Sequence, residues 1–131
     1  MVVVQGVNAR EGVMFQSSCH CGGTTLQTKT FPETITCCNC SMCNRIGALW
    51  AYYQAEQVTI KSNRPLNSYL WGKKLRTYHS CSVCGCVTHY TQKRNDDTNR
   101  VAINTRMAFP KLSRVIKIRY FDGANTFKYI T

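Results

Sequence analysis

The chain has 131 residues, about the size of one domain, and we expect residues 1–131 to fold as a single unit. Hydrophobic residues make up 44% of the sequence and charged residues 18%, a globular composition that excludes disorder over most of the chain. Because 17 Lys and Arg face only 6 Asp and Glu, the formal net charge is +11, which favours an anionic partner or a bound counter-charge.

The first residues show no targeting signal. The aliphatic opening Val2-Val3-Val4 is broken by Gln5 and Gly6, and no apolar run approaches the roughly 18–20 residues that span a bilayer. The stretch up to Gly12 also lacks the apolar segment of about 7–15 residues found in a secretory signal. We therefore expect a cytoplasmic protein that does not enter a membrane.

Short β-rich or alternating runs, separated by polar or Gly- and Pro-containing turns, recur along the rest of the chain. They predict strands at residues 13–15, 24–30, 49–53, 58–60, 68–71, 86–91, 101–104 and 115–120. Residues 39–47 predict a single helical turn, and no longer helix is indicated. This pattern predicts an all-β fold.

Nine cysteines are an unusual number for a chain without an export signal. An odd count leaves one thiol unpaired, and reducing conditions open most disulfides. Cys19 and Cys21 are two residues apart, as are Cys38 and Cys40, and a disulfide across one residue would be strained. On a strand, however, residues at this spacing project from the same face. Both sulfurs of each pair could therefore reach one metal ion.

Cys81 and Cys84 are three residues apart, the spacing at which a tight turn directs two thiolates at one zinc ion. A structural zinc site usually takes two such pairs that are distant in sequence. We therefore predict a four-cysteine zinc site formed by Cys19, Cys21, Cys81 and Cys84. Ordinary buried thiols and redox cysteines are the alternatives.

Cys38, Cys40 and Cys43 form a second group, too compact to make two sites. Three protein ligands leave a fourth position open for water or substrate, as in catalytic zinc sites. We predict a second zinc here; a thioredoxin-like redox pair and a cysteine-ligated iron–sulfur cluster are the alternatives.

The remaining candidates for metal ligands are interpreted differently. We expect two cysteines to be small apolar residues, Cys37 and Cys86. We expect the histidines to lie near the metal sites or on the surface without binding metal: His20, His79 and His89.

Three linked cysteine motifs resemble the glutathione-dependent formaldehyde-activating enzyme family, which includes the centromere protein V group. They are Ser18-Cys-His-Cys-Gly22, Cys38-Asn-Cys-Ser-Met-Cys-Asn-Arg-Ile-Gly47 and Cys81-Ser-Val-Cys-Gly85. Asn104-Thr-Arg106 is similar to an Asn-x-Arg strand of that family, and Tyr120-Phe-Asp-Gly123 to its terminal Asp-Gly.

The resemblance implies an all-β fold of several small antiparallel sheets stapled by the four-cysteine zinc site, an MSS-four-like complex β fold. It implies two zinc ions per chain, one structural and one at an active site formed by Cys38, Cys40 and Cys43. It also implies a carbon–sulfur lyase that uses glutathione or another small thiol and a small aldehyde such as formaldehyde. Arg45 and Arg106 are our candidates for holding glutathione, with an amide hydrogen bond from Asn104.

A non-catalytic zinc-binding module is the alternative function. Such a module would carry glutathione or bind another small anion or nucleic acid. Nucleic acid is the less favoured partner, because the cations are scattered and only Lys73-Lys74-x-Arg76 and Lys93-Arg94 are tight groups.

Overall fold

The computed structural model describes residues 15–71, 75–94, 99–108 and 116–130. Residues 1–12, on which the expected location depends, lie outside these ranges, as do Lys73 and Lys74. The described strands and α-helix are β1 (Phe15–Ser18), β2 (Thr24–Thr28), β3 (Thr34–Cys38), α1 (Ser41–Ile46), β4 (Trp50–Gln54), β5 (Val58–Ser62), β6 (Leu66–Trp71), β7 (Arg76–Cys81), β8 (Val87–Lys93), β9 (Asn99–Asn104), β10 (Lys117–Asp122) and β11 (Lys128–Ile130). Two short 3-10 helices span Ala55–Gln57 and Thr105–Met107.

The strands form a three-stranded sheet, β1-β2-β5, and an eight-stranded sheet, β11-β10-β3-β4-β9-β8-β7-β6. Strands β3 and β10 pair in parallel, and the other described pairs are antiparallel. The all-β class is therefore confirmed. No helix in the described part of the chain has the length and apolar character needed to cross a membrane.

Most of the predicted strands are present. Six of them coincide with β2, β4, β5, β6, β8 and β9. The strands predicted at 13–15 and 115–120 begin outside the described residues, and their described parts include residues of β1 and β10. Three strands were not predicted: β3, β7 and β11.

Strand β7 was not predicted, because apolar and polar residues do not alternate in its sequence. Only Tyr78 and Cys81 are fully buried within Arg76–Cys81, and they are three residues apart because the pairing with β8 shifts between His79 and Ser80. The strand pairs with β6 on one side and β8 on the other. Its conformation follows from this pairing rather than from local propensity.

The main hydrophobic core lies between the two sheets. Phe15 and Leu26 of the small sheet are fully buried against residues of the large sheet such as Ile35 and Ile103. In β1 and β2 the buried residues alternate with half-buried ones, as expected for a sheet with one face toward the core.

The large sheet also has a second buried face. Ala51 and Ile103 belong to the main core, whereas their neighbours Trp50 and Ala102 belong to a separate cluster with Tyr78. Successive side chains of a strand point to opposite faces, so β4 and β9 supply both clusters. The second cluster includes three cysteines and positions them on this face.

The helical turn predicted at 39–47 is confirmed by α1. The Cys40 Sγ accepts a hydrogen bond from the Cys43 N–H at its N-terminus, and Gly47 ends the helix with φ of 72°. Glycine adopts this left-handed conformation without the steric cost that a Cβ brings.

Replacing Leu26 with Ala tests the packing between the sheets. We expect Leu26→Ala to lower the free energy of unfolding by about 2–5 kcal/mol, because it leaves a cavity in the main core. Leu70→Ala is the matched control, since Leu70 is 56% exposed and its loss should change the stability by no more than about 0.5 kcal/mol. Urea unfolding followed by fluorescence measures both; equal effects would contradict this view of the core.

Candidate metal centres

The four cysteines predicted to form one site are brought together by two turns. Cys19 and Cys21 lie between β1 and β2, and Cys81 and Cys84 lie between the end of β7 and β8. Their Sγ atoms all lie within 4.8 Å of one another. The Cys19–Cys21 and Cys21–Cys81 sulfur distances are 3.6 and 3.5 Å. Tetrahedral zinc with bonds of about 2.3 Å would separate its sulfurs by about 3.8 Å, so this group could hold such an ion.

Both turns depend on glycine and present N–H groups to the sulfurs. Gly22 and Gly85 have φ of 82° and 77°, in the left-handed region that glycine adopts readily. The Thr24 N–H donates to the Cys19 Sγ and the Val83 N–H to the Cys81 Sγ, each at 3.4 Å. These donors stabilise thiolate over thiol.

The thiols of this group compete for protons. The backbone N–H groups of Cys21 and Cys86 lower the pKa of the Cys84 thiol to about 5. The Gly23 N–H lowers the pKa of Cys21, but shared hydrogen bonds with Cys81 and other neighbours, together with desolvation, raise it to about 11. Adjacent thiolates repel each other, and a cation among them would relieve this repulsion.

The second predicted group is more deeply buried. Cys38, Cys40 and Cys43 are 7%, 5% and 2% exposed, and their Sγ atoms lie within 4.8 Å of one another. The Cys40 N–H donates to the Cys38 Sγ at 3.5 Å, and the Trp50 Nε1–H donates to the Cys43 Sγ at 3.3 Å. These three sulfurs could also hold a metal ion.

The three thiols likewise share protons unequally. A hydrogen bond from Cys43, with smaller effects of the Cys40 N–H and the charge of Arg76, outweighs desolvation and lowers the pKa of the Cys38 thiol to about 5. The same bond to Cys38, together with desolvation, raises the pKa of the Cys43 thiol far above its usual value. The Cys38 sulfur is thus a good metal ligand already, and the Cys43 thiol would lose its proton to solvent when a cation binds its sulfur.

The three-cysteine group opens into a cavity of about 600 Å³. Its walls are largely aromatic: Tyr52, Trp71, Tyr90, Phe121, Phe127 and Tyr129. Arg76, Gln92 and Arg100 also line it, whereas none of the described lining residues is acidic. The cavity therefore joins sulfurs that could hold a metal ion to apolar walls and positive charge, a combination suited to a small anionic ligand.

The turn after β10 packs directly against the sulfurs. A Cβ added at Gly123 would lie 2.7 Å from the Cys38 Sγ and 3.3 Å from the Cys40 Cβ. The Asp122 carboxylate fixes this turn by accepting hydrogen bonds from the Asn39 side chain and from the backbone N–H groups of Asn125 and Thr126. The Asp-Gly pair thus allows the chain to approach the three cysteines closely.

The three residues predicted to hold glutathione lie elsewhere. The Arg45 guanidinium is exposed and donates to the Ser41 carbonyl, and the Arg106 guanidinium donates to the Gly47 carbonyl. Asn104 is buried, where its amide donates to the Val87 carbonyl and accepts from the Leu49 N–H. None of these side chains is among the described residues that line the cavity, and their predicted role stays a prediction.

Three polar residues of the cavity were not predicted as binding residues: Arg76, Gln92 and Arg100. Arg76 was noticed only as part of a cationic group, and Gln92 and Arg100 carry no motif. The signal that could have found them is strand register, because Arg76 pairs with Gln92 and Gln92 with Arg100. The pairing of Arg76 with Gln92 depends on strand β7, which was not predicted.

The other thiols and the imidazoles lie outside both cysteine groups. Cys37 is half-buried against the main core, and Cys86 is half-buried beside the four-cysteine group. His79 and His89 stack with their rings 4.6 Å apart, and His20 is exposed. Desolvation lowers the pKa of His89 to about 3, so that ring is neutral at pH 7.

Comparison with known proteins agrees with this geometry. The family model described as glutathione-dependent formaldehyde-activating enzyme matches residues 14–118. The chain belongs to this family. A crystal structure of a Rhodobacter sphaeroides protein is similar, with a TM-score of 0.64 and 21% identity over 79% of this chain and 99% of that one, which supports the fold. No functionally curated protein matches the sequence.

Removing one ligand of the four-cysteine group should unfold the protein. A structural zinc contributes about 10–16 kcal/mol of apparent binding free energy, compared with a typical domain stability of about 5–15 kcal/mol. We expect Cys81→Ser or Cys21→Ser to give insoluble protein or to abolish the cooperative thermal transition. Cys86→Ser is the control, because Cys86 lies beside the group without belonging to it. A melt of Cys81→Ser close to that of the control would contradict the assignment.

Gly123→Ala tests the close approach of the turn to the sulfurs. The added methyl would collide with the Cys38 Sγ, so we expect a loss of about 1–3 kcal/mol of stability and a lower metal content. Gly23→Ala is the control, because its methyl would meet the flexible end of the Arg64 side chain, which can move aside. Thermal melts and metal analysis compare the two variants. Equal effects would mean that the turn accommodates the added methyl group without a specific loss of stability or metal.

Proposed function

We propose that the protein is a zinc-dependent carbon–sulfur lyase that binds glutathione and adds or releases an aldehyde such as formaldehyde, like an S-(hydroxymethyl)glutathione synthase. One observation carries the proposal: three buried cysteine sulfurs meet beside a cavity of about 600 Å³ in a member of the formaldehyde-activating family. Glutathione and formaldehyde are the reactants that the family description suggests.

In this proposal each cysteine group holds one zinc ion. An all-sulfur donor set suits zinc, and the hydrogen bonds to the sulfurs favour their thiolate forms. Cys19, Cys21, Cys81 and Cys84 complete four ligands and would hold a structural ion. Cys38, Cys40 and Cys43 supply three and leave one position for a ligand. Zinc there supplies a Lewis acid that stabilises a thiolate.

Residues around the three cysteines would keep this site dry and limit its negative charge. Trp50 is fully buried and donates its indole N–H to the Cys43 Sγ, and the Tyr78 hydroxyl lies 3.9 Å from the same sulfur. The Trp50 N–H withdraws charge from the Cys43 sulfur, which leaves the site more attractive to an incoming anionic thiolate.

The proposed reaction forms a carbon–sulfur bond without any net oxidation. The glutathione sulfur, after losing its proton, attacks the aldehyde carbon, and the carbon–oxygen double bond becomes a single bond as the oxygen takes up a proton. The reverse step releases the aldehyde and the thiol. Both directions require a hydrogen-bond donor near the oxygen on which charge develops.

Tyr52 and Tyr90 are our candidates for that donor. Both line the cavity, and desolvation raises the pKa of each hydroxyl above its usual value. The hydroxyls therefore remain protonated at neutral pH and are able to donate a hydrogen bond to the oxygen.

Cys40→Ser tests the zinc site at the three cysteines. We expect the zinc content to fall by about one ion per chain while the fold survives, because these ligands lie within one short segment and connect no distant parts of the chain. Glutathione should bind the wild-type protein and bind Cys40→Ser much more weakly. Isothermal titration at low salt and metal analysis measure both effects.

Two controls separate the sulfur from the rest of the ligand. Cys37→Ser removes a neighbouring thiol outside the group and should bind like wild type. S-methylglutathione, whose sulfur cannot become a thiolate, should bind wild type and Cys40→Ser equally weakly. Equal binding of glutathione to both proteins would show that its sulfur does not meet this zinc. Binding with no acceleration of the uncatalysed addition of formaldehyde would favour a glutathione carrier.

A further inference from the structure

We propose that Arg76, Gln92 and Arg100 form an anion strip that selects thiols carrying a carboxylate and an N–H donor, as peptide thiols do, over simple neutral thiols. The inference rests on the proposed function in one respect, the position of the ligand's sulfur at the three cysteines. It adds three specificity-determining residues to that proposal.

The three residues lie side by side on neighbouring strands. Arg76 of β7 is paired with Gln92 of β8, and Gln92 is paired with Arg100 of β9. Neighbouring strands are about 4.8 Å apart, so the two arginine backbones are separated by roughly 10 Å with the glutamine between them. All three side chains line the cavity.

The strip has unused capacity for hydrogen bonds. The Gln92 Oε1 is buried without a hydrogen-bond partner among the described residues. A buried acceptor left without a donor costs about 1–3 kcal/mol, which a ligand N–H would recover. None of the described residues that line the cavity supplies a carboxylate to the arginines. A ligand with a carboxylate and an N–H would satisfy both needs.

Aromatic contacts hold the two guanidinium groups in place. Arg76 lies over the Tyr90 ring at 5.5 Å, and Arg100 lies over the Tyr52 ring at 4.5 Å. Stacking of this kind restricts the side chain before a ligand arrives. A guanidinium has five N–H donors, so Arg76 can hydrogen-bond Tyr78 and still donate to a carboxylate. The arginines are thus prepared for binding at little further cost in entropy.

The position of the strip sets the size of the ligand. Tyr78 follows Arg76 by two residues, and its partner Tyr90 precedes Gln92 by two. Residues two apart on a strand point to the same face, so both tyrosines share the face of the strip. Two residues along a strand span about 6.6 Å. Because Tyr78 lies 3.9 Å from the Cys43 Sγ, the strip is one such step away from the tyrosine beside the sulfurs. A ligand with its sulfur at the three cysteines would meet the strip with a carboxylate several bonds from its thiol, as glutathione does.

The test compares ligands and variants in the zinc-loaded protein by isothermal titration. Glutathione is compared with its diethyl ester, which lacks both carboxylates, and with 2-mercaptoethanol, which lacks carboxylate and N–H. On the unaltered protein we expect glutathione to bind at least about tenfold more tightly than the diester. This comparison requires no variant, so it holds even if a substitution impairs folding.

The variants assign the difference to particular side chains. Arg76→Gln and Arg100→Gln should each weaken glutathione binding by about tenfold and leave 2-mercaptoethanol binding unchanged. Gln92→Leu should also weaken glutathione binding selectively. Arg119→Gln is the matched control, because Arg119 stacks over the Tyr129 ring at 3.7 Å but is outside the cavity lining, and it should bind as wild type.

The outcomes separate this inference from the proposed function. Equal affinity for glutathione and its diester, or unchanged binding by the arginine variants, would overturn the anion strip while leaving the sulfur site intact. If Cys40→Ser binds glutathione as wild type does, the sulfur site fails. In that case a selective loss of S-methylglutathione binding in Arg76→Gln and Arg100→Gln would still support the strip, since this ligand retains its carboxylates.

Discussion

The convergence of four cysteine sulfurs from two sheets is the constraint on which the structure depends. Cys19 and Cys21 belong to a turn of the small sheet, and Cys81 and Cys84 to a turn of the large one, yet their sulfurs lie within 4.8 Å of one another. Four thiolates at this separation repel each other strongly without a cation. A shared metal ion would convert this repulsion into a cross-link between segments about sixty residues apart.

The four-cysteine group lies at the end of a strand that also lines the cavity. Cys81 ends strand β7 and Cys84 precedes β8, so the four-cysteine group places the connection between β7 and β8 beside the turn that follows β1. On the face of the sheet that lines the cavity, tyrosines of β7 and β8 lie near the three-cysteine group. The residues of the anion strip, from β7, β8 and β9, lie farther along the same face. Because β4 and β9 are buried on both faces, one face stabilises the sheet while the other forms the cavity.

Local spacing predicted the parts of the site that are close together in sequence. The sulfurs of Cys38, Cys40 and Cys43 lie close together because Cys38 ends a strand and the other two lie at the first turn of the helix that follows. The cysteine spacing alone indicates this. Arg45 was chosen because it lies beside the cysteine cluster, and Arg106 because it belongs to the Asn-x-Arg strand. Both donate to backbone carbonyls, and their role in binding stays a prediction. Nearness in sequence does not determine which face a long side chain reaches.

The sequence by itself therefore determined the all-β class, the two cysteine groups and the family, because each depends on short-range spacing and residue type. Only the tertiary structure decided that Arg76, Gln92 and Arg100 form one row and that Gly123 approaches the sulfurs. These relations depend on strand register and on the turn after β10. Register is determined by side chains packing across neighbouring strands, and a single strand such as β7 with irregular burial does not carry that information.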